Sequence, residues 1–209
     1  LYSWYTSNGR KVSIALEELE MPYEIFPVDI TRGEQSTAQF LAISPNGKIP
    51  AIVDQSAGGV TLMESGAILM YLAEKAGRLI PKDTDGRWKT IEWLMWQMGG
   101  IGPILGQHLH FTHYNPEASE YAKERYAAEA HRLYGVLDRR LADHEYLADE
   151  YTIADIATWP WIARHNWQRV DLDEYPNVRR WYLAVAKRPA VQRGWCVPQN
   201  DQEIPMPGG

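Results

Sequence analysis

The chain has 209 residues, of which 45% are hydrophobic and 23% charged, enough apolar material for a packed core and too much for a disordered chain. A net charge of -6 argues against a basic nucleic-acid face, and no apolar run reaches the roughly 18 residues that a membrane span needs. The one cysteine, Cys196, excludes an internal disulfide, a CxxC redox pair and a cysteine-rich zinc site, and it fits a reducing, cytoplasmic compartment.

Leu1 to Trp4 reads as a short strand, with no signal-peptide pattern after it and no initiating methionine before it. Thr6-Ser7-Asn8-Gly9 is a turn with a cap, after which Val12, Ala15, Leu16 and Leu19 recur at helical spacing until Pro22. Tyr23 to Val28 reads as a second strand, and Pro27 places it at a sheet edge. A short helix spans Ser36 to Leu41. Ile49 to Val53 and Val60 to Met63 are strands joined by a turn at Gly58-Gly59, and Ala67 to Lys75 is a helix opened by Glu64-Ser65-Gly66. The first two strands, joined through a helix, are expected to be parallel, and the last two, joined by a tight turn, antiparallel. A mixed four-stranded sheet with helices on both faces follows.

Pro81, Asp83, Asp85 and Gly86 mark a linker over residues 79–86. Everything beyond it reads as helix. Trp88 to Gln107 is one stretch that bends at Gly99-Gly100-Ile101-Gly102-Pro103. Asn115-Pro116-Glu117 opens a helix to about Leu141. Thr152-Ile153-Ala154-Asp155 resembles a capping box, with Asp in place of Glu, and opens a helix to Trp167. Tyr175 to Lys187 is the last helix, stopped by Pro189. The expected division is an α/β domain over 1–78, the linker, an all-α domain over 87–197 and an extended tail over 198–209. Eight of the nine tryptophans fall in the helical part, where they read as packing.

Two stretches of the α/β part carry chemistry. Pro50, straight after Ile49 in the third strand, is awkward for a sheet; a cis bond that turns the backbone toward a ligand accounts for it, as does an irregular edge strand. Glu64-Ser65 at a helix start offers backbone N–H groups, a hydroxyl and a positive dipole end, which suit a carboxylate, while Glu64 suits an ammonium. The pair describes a receptor for a free amino acid end such as a γ-glutamyl group, unless it is an ordinary N-cap. His108, His110 and His113 stand two and three apart with no cysteine or acid at ligand spacing, so no metal site is assigned. Lys11 reads as a surface lysine without a role, and Cys196 as structural.

Together these residues resemble the cytosolic glutathione transferases, in which a thioredoxin-like domain precedes an all-helical one, and the resemblance covers nearly the whole chain. Thr6-Ser7-Asn8-Gly9, the run from Trp93 to Gly106, His110-Phe111-Thr112-His113, Glu124-Arg125-Tyr126 and the run from Asp155 to Trp161 narrow it to the bacterial Nu class, related to the yeast nitrogen-regulator type. The resemblance implies glutathione as co-substrate, no metal, a small disulfide or electrophile as second substrate, and a homodimer. It places Asn8 at the glutathione thiol with Thr6 close by, Gln35 and Lys48 at the glycine end or the peptide backbone, and Ile49, before the cis Pro50, against the cysteinyl unit. Glu64 and Ser65 would hold the γ-glutamyl end, and Arg125 would add positive charge from the helical domain. Ser7 stands where the Nu pattern has proline, so Thr6, Ser7 and Asn8 are all candidates for activating the thiol. Tyr2 and Tyr5 rank below them. The stretch from His108 to His113 would line the second-substrate cleft.

If a thioredoxin-like domain without a cysteine after its first strand does thiol chemistry, it must borrow the thiol. A free thiol with a pKa near 8.5 is only about 3% thiolate at pH 7, and lowering that pKa by roughly two units takes about 2.7 kcal/mol of differential stabilisation. The Nu resemblance implies disulfide-bond reduction as the stronger activity, with weak conjugation of electrophiles. A glutathione-binding regulatory or non-catalytic module and a glutathione-dependent isomerase or dehalogenase are the other readings.

Overall fold

The sheet has the order β2-β1-β3-β4, with β1 at Tyr2–Ser3, β2 at Phe26–Pro27, β3 at Ala51–Asp54 and β4 at Val60–Met63. The structure, a computed structural model, describes residues 1–199 and 203–208. β1 pairs parallel with β2 and antiparallel with β3, and β3 pairs antiparallel with β4, the mixed arrangement the connections predict. β2 is shorter than expected. Its N–H donors are Phe26, to Leu1 O at 2.8 Å, and Val28, to Ser3 O at 3.0 Å. Pro27 sits between them, on an edge strand where its missing N–H breaks no bond.

The chain divides into two compact units. The first is Leu1–Ile80 with the segment that begins at Arg188; the second is Pro81–Lys187 with the last residues from Ile204. In the first, α1 (Ser7–Glu18) buries Val12, Ile14, Ala15 and Leu16. α2 (Ala38–Leu41), capped by Thr37, buries Phe40 with Val28 and Ala51. α3 (Ser65–Ala76) ends at the left-handed Gly77.

The helical stretch expected to run to 197 is cut at Arg188. Pro189 does not merely stop the preceding helix; it opens another, α10 (Pro189–Trp195), at a first-turn position that needs no N–H. α10 packs on α1. Gly194 is the contact point: a Cβ there would lie 2.7 Å from both N and Cα of Ile14, and Ser13 Oγ donates to Gly194 O at 2.7 Å. Arg188 grips Glu18 with two hydrogen bonds at 2.6 and 2.9 Å. Gly194→Ala is therefore expected to destabilise the protein by about 2 kcal/mol, because backbone rather than a flexible side chain must yield. Urea unfolding followed by tryptophan fluorescence measures this; an unchanged midpoint contradicts the close approach.

The second unit is helical. α4 (Thr84–Trp96) starts inside the expected linker, with Asp83 Oδ1 accepting from Gly86 N at 2.8 Å. The glycine-rich bend is a π-helical turn over Gln97–Ile101, leading into α5 (Gly102–Leu109) and a second π-helical turn over His110–Tyr114. Asn115 ends that turn instead of opening a helix. α6 (Glu120–Ala142) begins later, where Ser119 Oγ accepts from Ala122 N at 3.2 Å. α7 (Ile153–Ile162) opens on the expected capping box, with both reciprocal bonds present. It stops before Trp167, which lies on the separate short α8 (His165–Gln168); Pro160 inside α7 supplies no N–H to the last turn. α9 is Pro176–Ala186. Of the expected tail, Glu203–Met206 have no regular structure, and Tyr182 Oη donates to Pro205 O at 2.5 Å; residues 200–202 and 209 lie outside the described ones. Among the described residues no helix is long and apolar enough to cross a membrane.

Candidate functional site

Two helix starts in the first unit carry the candidate residues. At the first, the chain leaves β1 and folds back sharply, with Thr6 N bonded to Trp4 O at 2.7 Å. Gly9 makes this possible: a Cβ there would stand 2.4 Å from Ser3 Oγ and from Trp4 O. Thr6 is the N-cap, its Oγ1 accepting from Gly9 N at 3.1 Å, so that its own proton remains to be donated. Ser7 is buried and Asn8 half-buried in the first turn of α1, at the positive end of its dipole. The three candidates for thiol activation are thus consecutive around one helix start. Tyr2 lies within β1, stacked on Phe26 at 4.8 Å, and Tyr5 packs on Trp4 at 4.6 Å.

At the second helix start, the Ile49-Pro50 bond is cis as expected; Pro50 is buried, and Ile49 packs on the cluster of Val28, Phe40 and Ala51. Ala51 pairs with Met63, the residue before Glu64, so the sheet register brings the Pro50 turn and the start of α3 together. Glu64 has φ 69° and ψ 110°, a left-handed conformation that costs a non-glycine residue about 1–3 kcal/mol. Its side chain is exposed, does not cap α3, and accepts from Asn46 Nδ2 at 3.4 Å. Ser65 follows, 3% exposed, at the positive end of the α3 dipole. With no side-chain cap on this helix start, its first N–H groups can take a carboxylate.

Gln35 and Lys48 sit on adjoining loops. A Cβ on Gly47 would touch Gln35 O at 3.4 Å. Gln35 Oε1 is buried without a hydrogen-bond partner, whereas the Lys48 side chain is exposed and its carbonyl accepts from Ser44 Oγ at 2.9 Å. Arg125 is exposed on α6 of the second unit.

Lys11 corrects the sequence reading. It is not at the surface: it is 1% exposed, and its Nζ donates to Ser65 Oγ at 3.3 Å. Burial lowers its pKa to about 7, against the opposing pull of the Glu64 carboxylate. Arg10 is also buried, its guanidinium 3.4 Å from the centre of the Trp195 ring and its Nε donating to Trp195 O at 3.3 Å. Two buried cations early in one helix go against both desolvation and the helix dipole. The signal for Lys11 was in the spacing: Lys11, Ile14, Ala15 and Glu18 share the i, i+3, i+4, i+7 stripe that α1 buries.

The histidines of the second unit form no metal cluster, and none with three or more His, Cys, Asp or Glu occurs among the described residues. His108 is a core residue: its Nε2 is 2.7 Å from Gln168 O, and burial lowers its pKa. His113 stacks on Trp167 at 4.7 Å, and Arg164 lies 4.3 Å above the same indole. Cys196 is free and exposed.

Comparison with known proteins covers both units of the chain. Residues 1–74 match the family model for the glutathione S-transferase N-terminal domain, and residues 99–189 that for the C-terminal domain. The chain is 50% identical to the disulfide-bond oxidoreductase YfcG of Escherichia coli (strain K12) over 196 residues, 91% of each chain. It is 31% identical to Protein URE2 of Candida albicans (strain SC5314 / ATCC MYA-2876), covering 89% of this chain and 66% of that one. A glutathione transferase from Pseudomonas putida, solved with one glutathione disulfide per subunit, superposes with a TM-score of 0.90 at 43% identity, over 94% of this chain and 90% of that one. With both halves matched in order and a relative sharing half its residues over nine-tenths of its length, the chain belongs to the glutathione S-transferase family.

Proposed function

We propose that this protein is a glutathione-dependent disulfide-bond reductase of the Nu type. The observation that carries the reading is the pair of helix starts in the first unit: one suited to a free amino acid end, the other ringed by Thr6, Ser7 and Asn8, with no cysteine in the chain between the first strand and α1. The name of the Escherichia coli relative and the glutathione disulfide in the Pseudomonas putida structure support it.

Glu64 takes the ammonium and Ser65 the α-carboxylate of the γ-glutamyl end. Ile49 pairs with the cysteinyl main chain, with Gln35 and Lys48 at the glycine end. Thr6, Ser7 or Asn8 donates to the thiolate. The bound thiolate attacks one sulfur of a small disulfide. A new S–S bond forms between glutathione and that sulfur, and the other half leaves as a thiolate that takes a proton from solvent. A second glutathione thiolate attacks the glutathione sulfur of the mixed disulfide, releasing the second thiol and glutathione disulfide. Two glutathiones are oxidised for each disulfide reduced.

Steady-state reduction of hydroxyethyl disulfide by glutathione, run beside conjugation of an aryl halide, tests the proposal. The expected result is brisk reduction and weak conjugation. Brisk conjugation with no reduction overturns it, and binding of glutathione without turnover of either points to a regulatory module.

A homodimer in the cytoplasm is part of the same reading. Trp88 and Met95, seven residues apart on one face of α4, are 62% and 48% exposed, two apolar side chains that a second copy of the chain would cover. Light scattering on the purified protein is expected to give twice the chain mass, and half that value for Trp88→Glu.

A further inference from the structure

Of the two buried cations of α1, Arg10 is packed on Trp195, and Lys11 has no task in the mechanism above. Lys11 is 1% exposed, and its stem crosses from α1 to the start of α3, where Nζ donates to Ser65 Oγ at 3.3 Å. A buried ammonium is costly, and replacing one with an apolar side chain of similar volume is often neutral or stabilising. Stability therefore gives no reason to keep it there.

A charged lysine donates three hydrogens and accepts none. In its bond with Ser65 the hydroxyl oxygen must be the acceptor, so the Ser65 proton points away from Lys11. The positive charge also stands at the start of α3, where a carboxylate is favoured by the dipole. Glu64, on the ligand side of the same turn, has the opposite sign, so the two side chains separate the positive and negative poles that a zwitterionic amino acid end presents.

We infer that Lys11 is a positioning residue for the γ-glutamyl α-carboxylate: its ammonium fixes the Ser65 hydroxyl as a donor to that carboxylate and supplies the positive potential around it. The inference rests on the reading of Glu64-Ser65 as the γ-glutamyl site. The charged groups on the packed elements are Arg10 and Glu18 of α1, Glu64 before α3 with Glu74 and Lys75 at its far end, and Arg193 of α10, which is paired with Glu17. Glu64 is the one that raises the Lys11 pKa against burial. A bound carboxylate raises it further, so binding takes up a proton above pH 7, and affinity falls as pH rises from the free toward the bound pKa.

Titration calorimetry with S-methylglutathione, which has no thiol to ionise, reads this directly. Wild type is expected to lose about tenfold in affinity between pH 7 and pH 8.5, with proton uptake visible in buffers of different ionisation enthalpy. Lys11→Met is expected to bind about tenfold more weakly at pH 6, without the pH dependence, while its thermal midpoint holds or rises. Lys11→Arg keeps the charge and should bind with a flat profile, which preserves the test if Lys11→Met fails to fold. The double variant Lys11→Met with Ser65→Ala should lose less than the sum of the two single losses, because the ammonium acts in part through that hydroxyl. Lys11→Met binding within twofold of wild type at pH 6, or a flat wild-type profile, overturns the inference while leaving the proposed function intact. Wild type failing to bind S-methylglutathione at any pH overturns both.

Discussion

Asp155→Ala is expected to lower the unfolding free energy by about 4 kcal/mol and the thermal midpoint by about 10 °C. Asp155 is fully buried and accepts from Leu147 N at 3.0 Å, Thr152 N at 3.0 Å and Trp181 Nε1 at 2.9 Å. One carboxylate thus ties the entry to α7, the loop before it and an indole on α9. Truncation leaves three buried N–H donors unsatisfied at about 1–3 kcal/mol each, partly offset by relief from burying a charge. That charge has its own signature. Burial outweighs the three hydrogen bonds and raises the Asp155 pKa to about 6. Because the folded value lies above the unfolded one, the contribution is fully present below about pH 4 and is lost as pH rises through about 6, a span on the order of 3 kcal/mol. The stability gap between wild type and Asp155→Asn should therefore widen as pH falls from 7 to 4.5. Calorimetry of the three proteins measures both effects. A loss below 1 kcal/mol for Asp155→Ala, or a gap that narrows on acidification, contradicts the account.

The second large effect falls on chemistry. Asn8→Ala is expected to raise the pKa of bound glutathione by one to two units, since a hydrogen bond to a charged group contributes about 1.5–3 kcal/mol. Reductase kcat/KM should fall about tenfold to a hundredfold at pH 6.5, because less thiol is ionised there. It should recover toward wild type near pH 9, where both proteins hold thiolate. Ultraviolet titration of the bound thiolate locates the midpoint; if it does not move, Asn8 is not the donor. Thr6→Val and Ser7→Ala separate the three neighbours by the same readout. Thr6→Val also removes the N-cap of α1, so it should lose about 1 kcal/mol of stability besides any change in the thiol.

Much of the fold could be read along the chain because its signals are local. The four strands, their parallel and antiparallel pairing, the edge position of Pro27, the cis bond before Pro50 and the Thr152-Asp155 box rest on residues within a few positions of one another. Asn115-Pro116-Glu117 shows the limit of local reading. It has the composition of a helix start, yet Ser119 provides the cap of α6, and Asn115 closes the π-helical turn before it by donating its backbone N–H to His110 O at 2.8 Å.

By itself the sequence determined the order of elements in the α/β part and the two helix starts that carry Thr6-Ser7-Asn8 and Glu64-Ser65, and its single Cys196, far along the chain from the first of these, is why a borrowed thiol is expected. The tertiary structure alone decided where α10 belongs and what Lys11 is. Gly194 meets Ile14 across 180 positions of sequence, and Lys11 meets Ser65 across 54. A lysine reads as solvated until the packing of two helices removes its water, and the loss of that water turns an expected surface charge into a buried one.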